Sequence, residues 1–169
     1  MLARKPRLYH AHETERMQEL DGVELASFAS RAVAFVIDFA IAGALFLGGL
    51  FAAVKIANRY TSLGQSNQHY NIELNFFENW YSIVYLVLFF GLSVYFGNGQ
   101  TIGKRVMGIR VVSIVHHRMG LWHSIERALG YGASALEFGF GFVQYFIHPN
   151  RRTVHDRMAE TIVIREKRE

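Results

Sequence analysis

The 169-residue chain has no cysteine, which rules out disulfides and thiolate metal sites and leaves the redox compartment unassigned. It has no short apolar core followed by a small-residue cleavage site near its start. The polar first 25 residues therefore read as a tail, not a cleaved signal, and the first apolar segment as its own uncleaved targeting signal. No Ser or Thr sits in a nucleophile setting such as G-x-S-x-G, which argues against an enzyme, and no internal repeat is detectable. Charge is nearly missing from two long runs. Residues 33–54 hold one ionisable group, Asp38, and residues 80–96, WYSIVYLVLFFGLSVYF, hold none.

Apolar blocks set against charged ends are what a small integral membrane protein shows; 51% of the residues are hydrophobic, and the mean hydropathy is slightly positive. The expected fold is an all-α integral membrane protein with two transmembrane helices, at about 31–54 and 80–97, and a third apolar segment at 121–147. A polar tail at 1–25, a membrane domain at 26–165 and a short tail at 166–169 complete the layout. The net charge of +4 does not point to nucleic acid, because basic residues beside membrane spans are what cytoplasm-facing loops carry. Residues 97–120 have four basic and no acidic residues, whereas the polar loop at 55–79 has only Lys55 and Arg59 as basic residues. That asymmetry places the former inside, the latter outside and the N-terminus inside, as in a bacterial cytoplasmic membrane or an equivalent organelle membrane.

The third apolar segment is long enough to span as one helix, or it re-enters through a break at Gly130/Gly132 or Gly139/Gly141. Two runs rich in β-branched residues, 109–115 (IRVVSIV) and 161–164 (TIVI), read as short strands. If they pair they share one side, which favours the bent segment with both tails cytoplasmic. Small residues form two rows, Ala40, Ala44, Gly48 and Ala52 on the first helix and Ala128, Gly132, Ala135 and Gly139 on the third segment. Such rows read as packing seams, the second expected against the first helix.

A carboxylate among some twenty apolar residues costs on the order of 2.5–3.5 kcal/mol by insertion scales, so Asp38 is kept for a partner or a function. It can bind a proton or cation, pair with an arginine, or stay protonated as a donor. Arg31, seven positions earlier, projects from nearly the same face but roughly 10 Å away along the axis, too far for a direct bond. Arg127 is the best partner for Asp38 by chemistry. With Glu126 and Glu137 it adds further charge to the third segment, enough for an ion or proton pathway. Lys104, Arg105 and Arg110 are expected to touch anionic lipid headgroups. The run GNGQTIGKR fails as a phosphate loop, because Asn98 stands where its first glycine belongs and Arg105 where its Ser or Thr does. His116, His117 and His123 have no established metal-ligand spacing, and no metal or cofactor is expected.

These motifs carry a resemblance. SRAVAFVIDFAI with Arg31 and Asp38, GQTIGKRVMGIRVV at 99–112 and RRTVHDRMAETIVI at 151–164 resemble, in order, three segments of the RDD family of small membrane proteins. Asp156 matches the second of the two aspartates for which, with one arginine, the family is named. Arg127 resembles the arginine that opens its third apolar region. The family usually has Asp-x-x-Ala-Gly-Thr where this chain has Asp156, Ala159, Glu160 and Thr161. The resemblance covers roughly residues 26–165 and implies either cation/proton antiport or a role in membrane complexes. The expected function is therefore a structural or accessory subunit, partnered by lipids and by other membrane subunits or by its own copies. The alternative is a transporter or transport component using Asp38, with Glu137 or Asp156 as further carboxylates. The absence of a repeat and the few spans weigh toward the accessory role.

Overall fold

The computed structural model describes residues 15–63, 80–136 and 140–166. In chain order the elements are α1 (Glu15–Glu19), α2 (Phe28–Leu63), α3 (Trp80–Phe96), α4 (Ile102–Val106), β1 (Ile109–Ser113), α5 (Leu121–Leu136), α6 (Phe140–Ile147), α7 (Val154–Met158) and β2 (Thr161–Arg165).

Ser27 caps α2, its hydroxyl oxygen accepting the Ser30 amide at 3.1 Å. The helix does not stop at Val54. Its 36 residues, about 54 Å at 1.5 Å per residue, carry it through Lys55 and Arg59, which are good helix formers, to Leu63, just before Gly64. The expected polar loop thus starts later than residue 55, and its part at 64–79 lies outside the described residues. In the most apolar 18-residue window of α2 only 17% is buried, and Val36, Leu45 and Phe51 are each about 60% exposed. A helix that turns such side chains outward is not the core helix of a water-soluble fold. α3 is apolar but has 17 residues, roughly 26 Å, less than the roughly 30 Å of a bilayer's hydrocarbon. Of the two expected spans, one has the length to cross alone and the other is a shorter apolar helix.

Rings fill the space between α2 and α3. Phe35 stacks on Phe90 at 5.6 Å, Phe46 meets Tyr85 at 5.1 Å, and the Tyr85 hydroxyl donates to the Ala42 carbonyl at 2.9 Å. The face of α2 turned inward is Ala34, Asp38 and Ala42, each four apart and buried. The row Ala40, Ala44, Gly48 and Ala52 is exposed among the described residues. The second seam is also used differently, because α5 packs chiefly on α3, where Gly91 meets Ile125, and on α7, where Gly130 meets His155. Of that seam Ala128 is buried, while Gly132, Ala135 and Gly139 fall outside the described side chains.

β1 and β2 form an antiparallel pair with Val111 opposite Val163 and Ser113 opposite Thr161, and Leu25 bridges to Ile164. β1 precedes α5 and β2 follows α7, so the third apolar segment leaves this sheet and returns to it. It does so as two helices of 16 and 8 residues, not one. Leu20, Leu25, Ile114 and Ile162 make a small buried cluster beside it, with Met17 and Val23 against its edge. Residues 15–25, grouped with the polar tail on composition, therefore belong to the folded unit. The outcome is a cap of strands and short helices that gathers the start of α2, the end of α3 and both ends of the third segment.

Candidate functional site

The cap is fastened by two buried carboxylates. Asp38 is 1% exposed, and the first turn of α4 lies across it. Its Oδ1 accepts the Gly103 amide at 2.7 Å, one of the first-turn N–H groups that a helix leaves without an internal partner. Its Oδ2 accepts the hydroxyl of Thr101, and the buried Lys104 ammonium stands 3.9 Å away. Thr101 in turn caps α4, accepting the Lys104 amide at 3.3 Å. The close approach requires glycine, since a Cβ at Gly103 would collide with the Ala34 carbonyl. Asp38 thus holds α4 down on the inner face of α2.

Asp156 is fully buried at the start of α7. Its Oδ2 accepts from Arg31 at 2.8 Å, from the Thr153 hydroxyl at 2.8 Å and from the Thr153 amide at 3.1 Å, the last being the carboxylate half of a capping box. Its Oδ1 accepts from Arg127, whose guanidinium also donates to Thr161 at 2.7 Å. Arg31 reaches on to the Val163 carbonyl at 3.2 Å and lies over the Tyr145 ring at 5.0 Å. One carboxylate therefore ties α2, α5, α7 and β2 together. Burial pushes the Asp156 carboxyl up, but Arg127 and Arg31 outweigh it and hold the group well below the ordinary carboxylate range.

His155 packs its ring on Tyr131 at 4.3 Å, with Nε2 2.9 Å from the Thr153 hydroxyl. That hydroxyl already donates its one proton to Asp156, so the imidazole Nε2 is the donor. Burial lowers the His155 pKa to about 3; Asp156 opposes this, while Arg127, Arg31 and Lys104 add to it. The histidine is neutral at ordinary pH.

Several expectations change. Arg31 and Asp38 make no bond to each other, as their spacing implied, but Arg127 pairs with Asp156 and not with Asp38. Lys104 is no headgroup contact, being 6% exposed and directed at Asp38. Arg110 is engaged by Glu166 at 2.7 Å and by the Asn98 carbonyl at 2.8 Å, which leaves Arg105, exposed on α4, as the basic residue of the three turned outward. Glu137 lies outside the described residues, and Glu126 is half-buried. Thr101, Gly103, Thr153, Thr161 and His155 were not singled out from the sequence. For Thr153 a signal was present, because Thr153-x-x-Asp156 has the capping-box spacing.

The model of the RDD family matches residues 25–160. The chain belongs to the RDD family. It is also similar to YteJ, an uncharacterized membrane protein of Bacillus subtilis (strain 168), with 31% identity over 85 residues that make up 50% of this chain. Those residues span about half, 51%, of that relative's length. No solved structure matches. As an RDD protein the chain is a membrane protein, and the outward apolar surface of α2 is of the kind that faces lipid. Its Arg31, Asp38 and Asp156 sit in two adjoining networks, not in one triad. Glu160, at the position where the resemblance implies glycine, takes φ 47°, in the left-handed region that glycine enters without cost.

Proposed function

We propose that this RDD protein is a structural or accessory subunit of a membrane protein complex, its two carboxylate networks locking a cytoplasmic cap onto the membrane helices. One observation carries the reading: every oxygen of Asp38 and Asp156 accepts from a protein donor, and fixed cations neutralise both. A transported cation would have to displace Lys104 or a guanidinium. The exposed small-residue row on α2, where nothing among the described residues lies within 4 Å of a Cβ built at Gly48, supports close association with a partner helix. In this reading α2 and α3 cross the membrane, and α5 and α6 dip in and return. The basic 97–120 loop puts the cap and the N-terminus in the cytoplasm of a bacterial inner membrane or its organelle equivalent. No catalysis and no cofactor are assigned, and Arg105 faces lipid headgroups.

Purification in mild detergent followed by native mass analysis tests the assignment. The expected result is a stoichiometric membrane partner or a defined homo-oligomer, and a lone monomer after crosslinking in native membranes would count against it. In liposomes, cation-driven proton flux that is lost in Asp38→Asn and kept in a folded Arg59→Gln control would establish the transport alternative instead. Because the chain has no cysteine, a single Glu169→Cys substitution reports sidedness cleanly. Labelling from outside intact cells would refute the cytoplasmic cap.

A further inference from the structure

Between α2 and the cap lies a cavity of about 290 Å³ whose wall brings Arg31, Lys104 and Arg127 together with the rings of Phe28, Phe35 and Tyr131. Its volume corresponds to roughly ten waters at about 30 Å³ each, enough for a phosphate or carboxylate with a few carbons but not for a whole lipid. Ala32 and Val36 belong to the same wall and are exposed on α2, so the cavity adjoins the apolar outer surface. Of the charged groups in the two networks, Arg31, Lys104 and Arg127 are cations and Asp38 and Asp156 are anions, leaving one positive charge in excess. Two donors are also unspent. The Nε atoms of Arg31 and Arg127 are buried with no hydrogen-bond partner among the described residues, and the Arg127 side chain is only 2% exposed. A net positive cluster beside a largely apolar cavity is costly, and an oxyanion is the chemistry that offsets it.

We propose that this cavity binds the anionic headgroup of a membrane amphiphile, its oxyanion held by Arg127 and Arg31 and its first carbons by the surrounding rings. The hydrocarbon leaves past Ala32 and Val36 into the bilayer. The predominantly aromatic and aliphatic wall favours an amphiphile over a free ion. The site serves equally in a lone or a complexed protein, so its failure and that of the accessory reading are separate results.

The test titrates the purified full chain, in an uncharged detergent, with phosphatidylglycerol, oleate, phosphatidylcholine or inorganic phosphate. Bound mass is followed by native mass spectrometry and stability by the unfolding midpoint. Phosphatidylglycerol or oleate is expected to bind at one per chain, at least about tenfold more tightly than phosphatidylcholine, with a raised midpoint. Ala32→Trp, which fills the mouth and touches no ion pair, should abolish the preference. Lys55→Gln, exposed on α2 and outside the cavity, should retain it. Equal affinity for phosphatidylcholine, tight binding of inorganic phosphate alone, or an equal loss in Lys55→Gln would each overturn the proposal. Should Ala32→Trp not fold, Val36→Trp at the same rim replaces it, and the wild-type headgroup preference decides independently of either variant.

Discussion

Replacing Asp38 measures how strongly α4 is fastened to α2. Asp38→Ala removes the acceptor of the Gly103 amide and of the Thr101 hydroxyl and leaves Lys104, 6% exposed, facing no counter-charge. Each buried neutral donor left unmade costs about 1–3 kcal/mol, and breaking a buried ion pair costs about 3–5 kcal/mol. These losses overlap, because Thr101 can rotate and Lys104 can relax outward, so the expected destabilisation is about 3–5 kcal/mol in total. Asp38→Asn keeps an acceptor for Gly103 but loses the charge and sets an amide donor where Oδ2 accepts the Thr101 hydroxyl. The Lys104 ammonium is 3.9 Å away, at the outer limit of an ion pair, so about 1–3 kcal/mol is expected. Adding Lys104→Met to Asp38→Asn removes the stranded charge and should recover roughly 1 kcal/mol of that loss. Equilibrium unfolding in mild detergent, followed by circular dichroism, gives all three values. An Asp38→Asn chain as stable as the wild type or more so, with no recovery from Lys104→Met, would refute the reasoning, since it would mark the carboxylate as a charge tolerated for transport.

Asp156→Asn removes the shared counter-charge of Arg31 and Arg127 and should cost more than Asp38→Asn, on the order of 3–5 kcal/mol in the same unfolding assay; a smaller loss would show that the guanidiniums find other partners. Gly103→Ala sets a methyl group against the Ala34 carbonyl, so α4 must lift from α2 at a cost of about 1–3 kcal/mol. Hydrogen exchange at residue 103 should then quicken, and unchanged protection would contradict the close approach. Stability should fall with pH below 6.5, because the unfolded His155 takes up a proton at its ordinary 6.5 while the folded one resists it down to about 3. That is roughly tenfold in the folding equilibrium per pH unit, with Asp156 adding its own loss only below its ordinary 3.8. His155→Gln should flatten the profile between pH 6.5 and 4, and an unaltered slope would locate the titration elsewhere.

The sequence reading came close on membership and went wrong on pairing, for the same physical reason. Arg31, Asp38, Arg127 and Asp156 stood out because a charge within or beside an apolar run is costly wherever it ends up. Which charge meets which depends on contacts across 125 residues for Arg31 and Asp156 and 65 for Asp38 and Gly103, set by where the strand pair and α7 come to rest. Lys104 looked like a surface base because its neighbours in sequence are basic, and burial beneath α2 is not a local property. A row of small residues on a helix does not say which neighbour, if any, it meets. Local chemistry read well where it was looked for, as the two short strands show.

The sequence alone determined the outward apolar character, the places where strands form and the need of each intramembrane charge for compensation. All of these follow from side-chain chemistry and short-range periodicity. The tertiary structure decided that the third segment turns back, that Asp38 takes backbone and lysine donors while Asp156 takes both arginines, and that a cavity with spare cationic donors remains between them. Those outcomes depend on burial and distance between residues far apart in the chain.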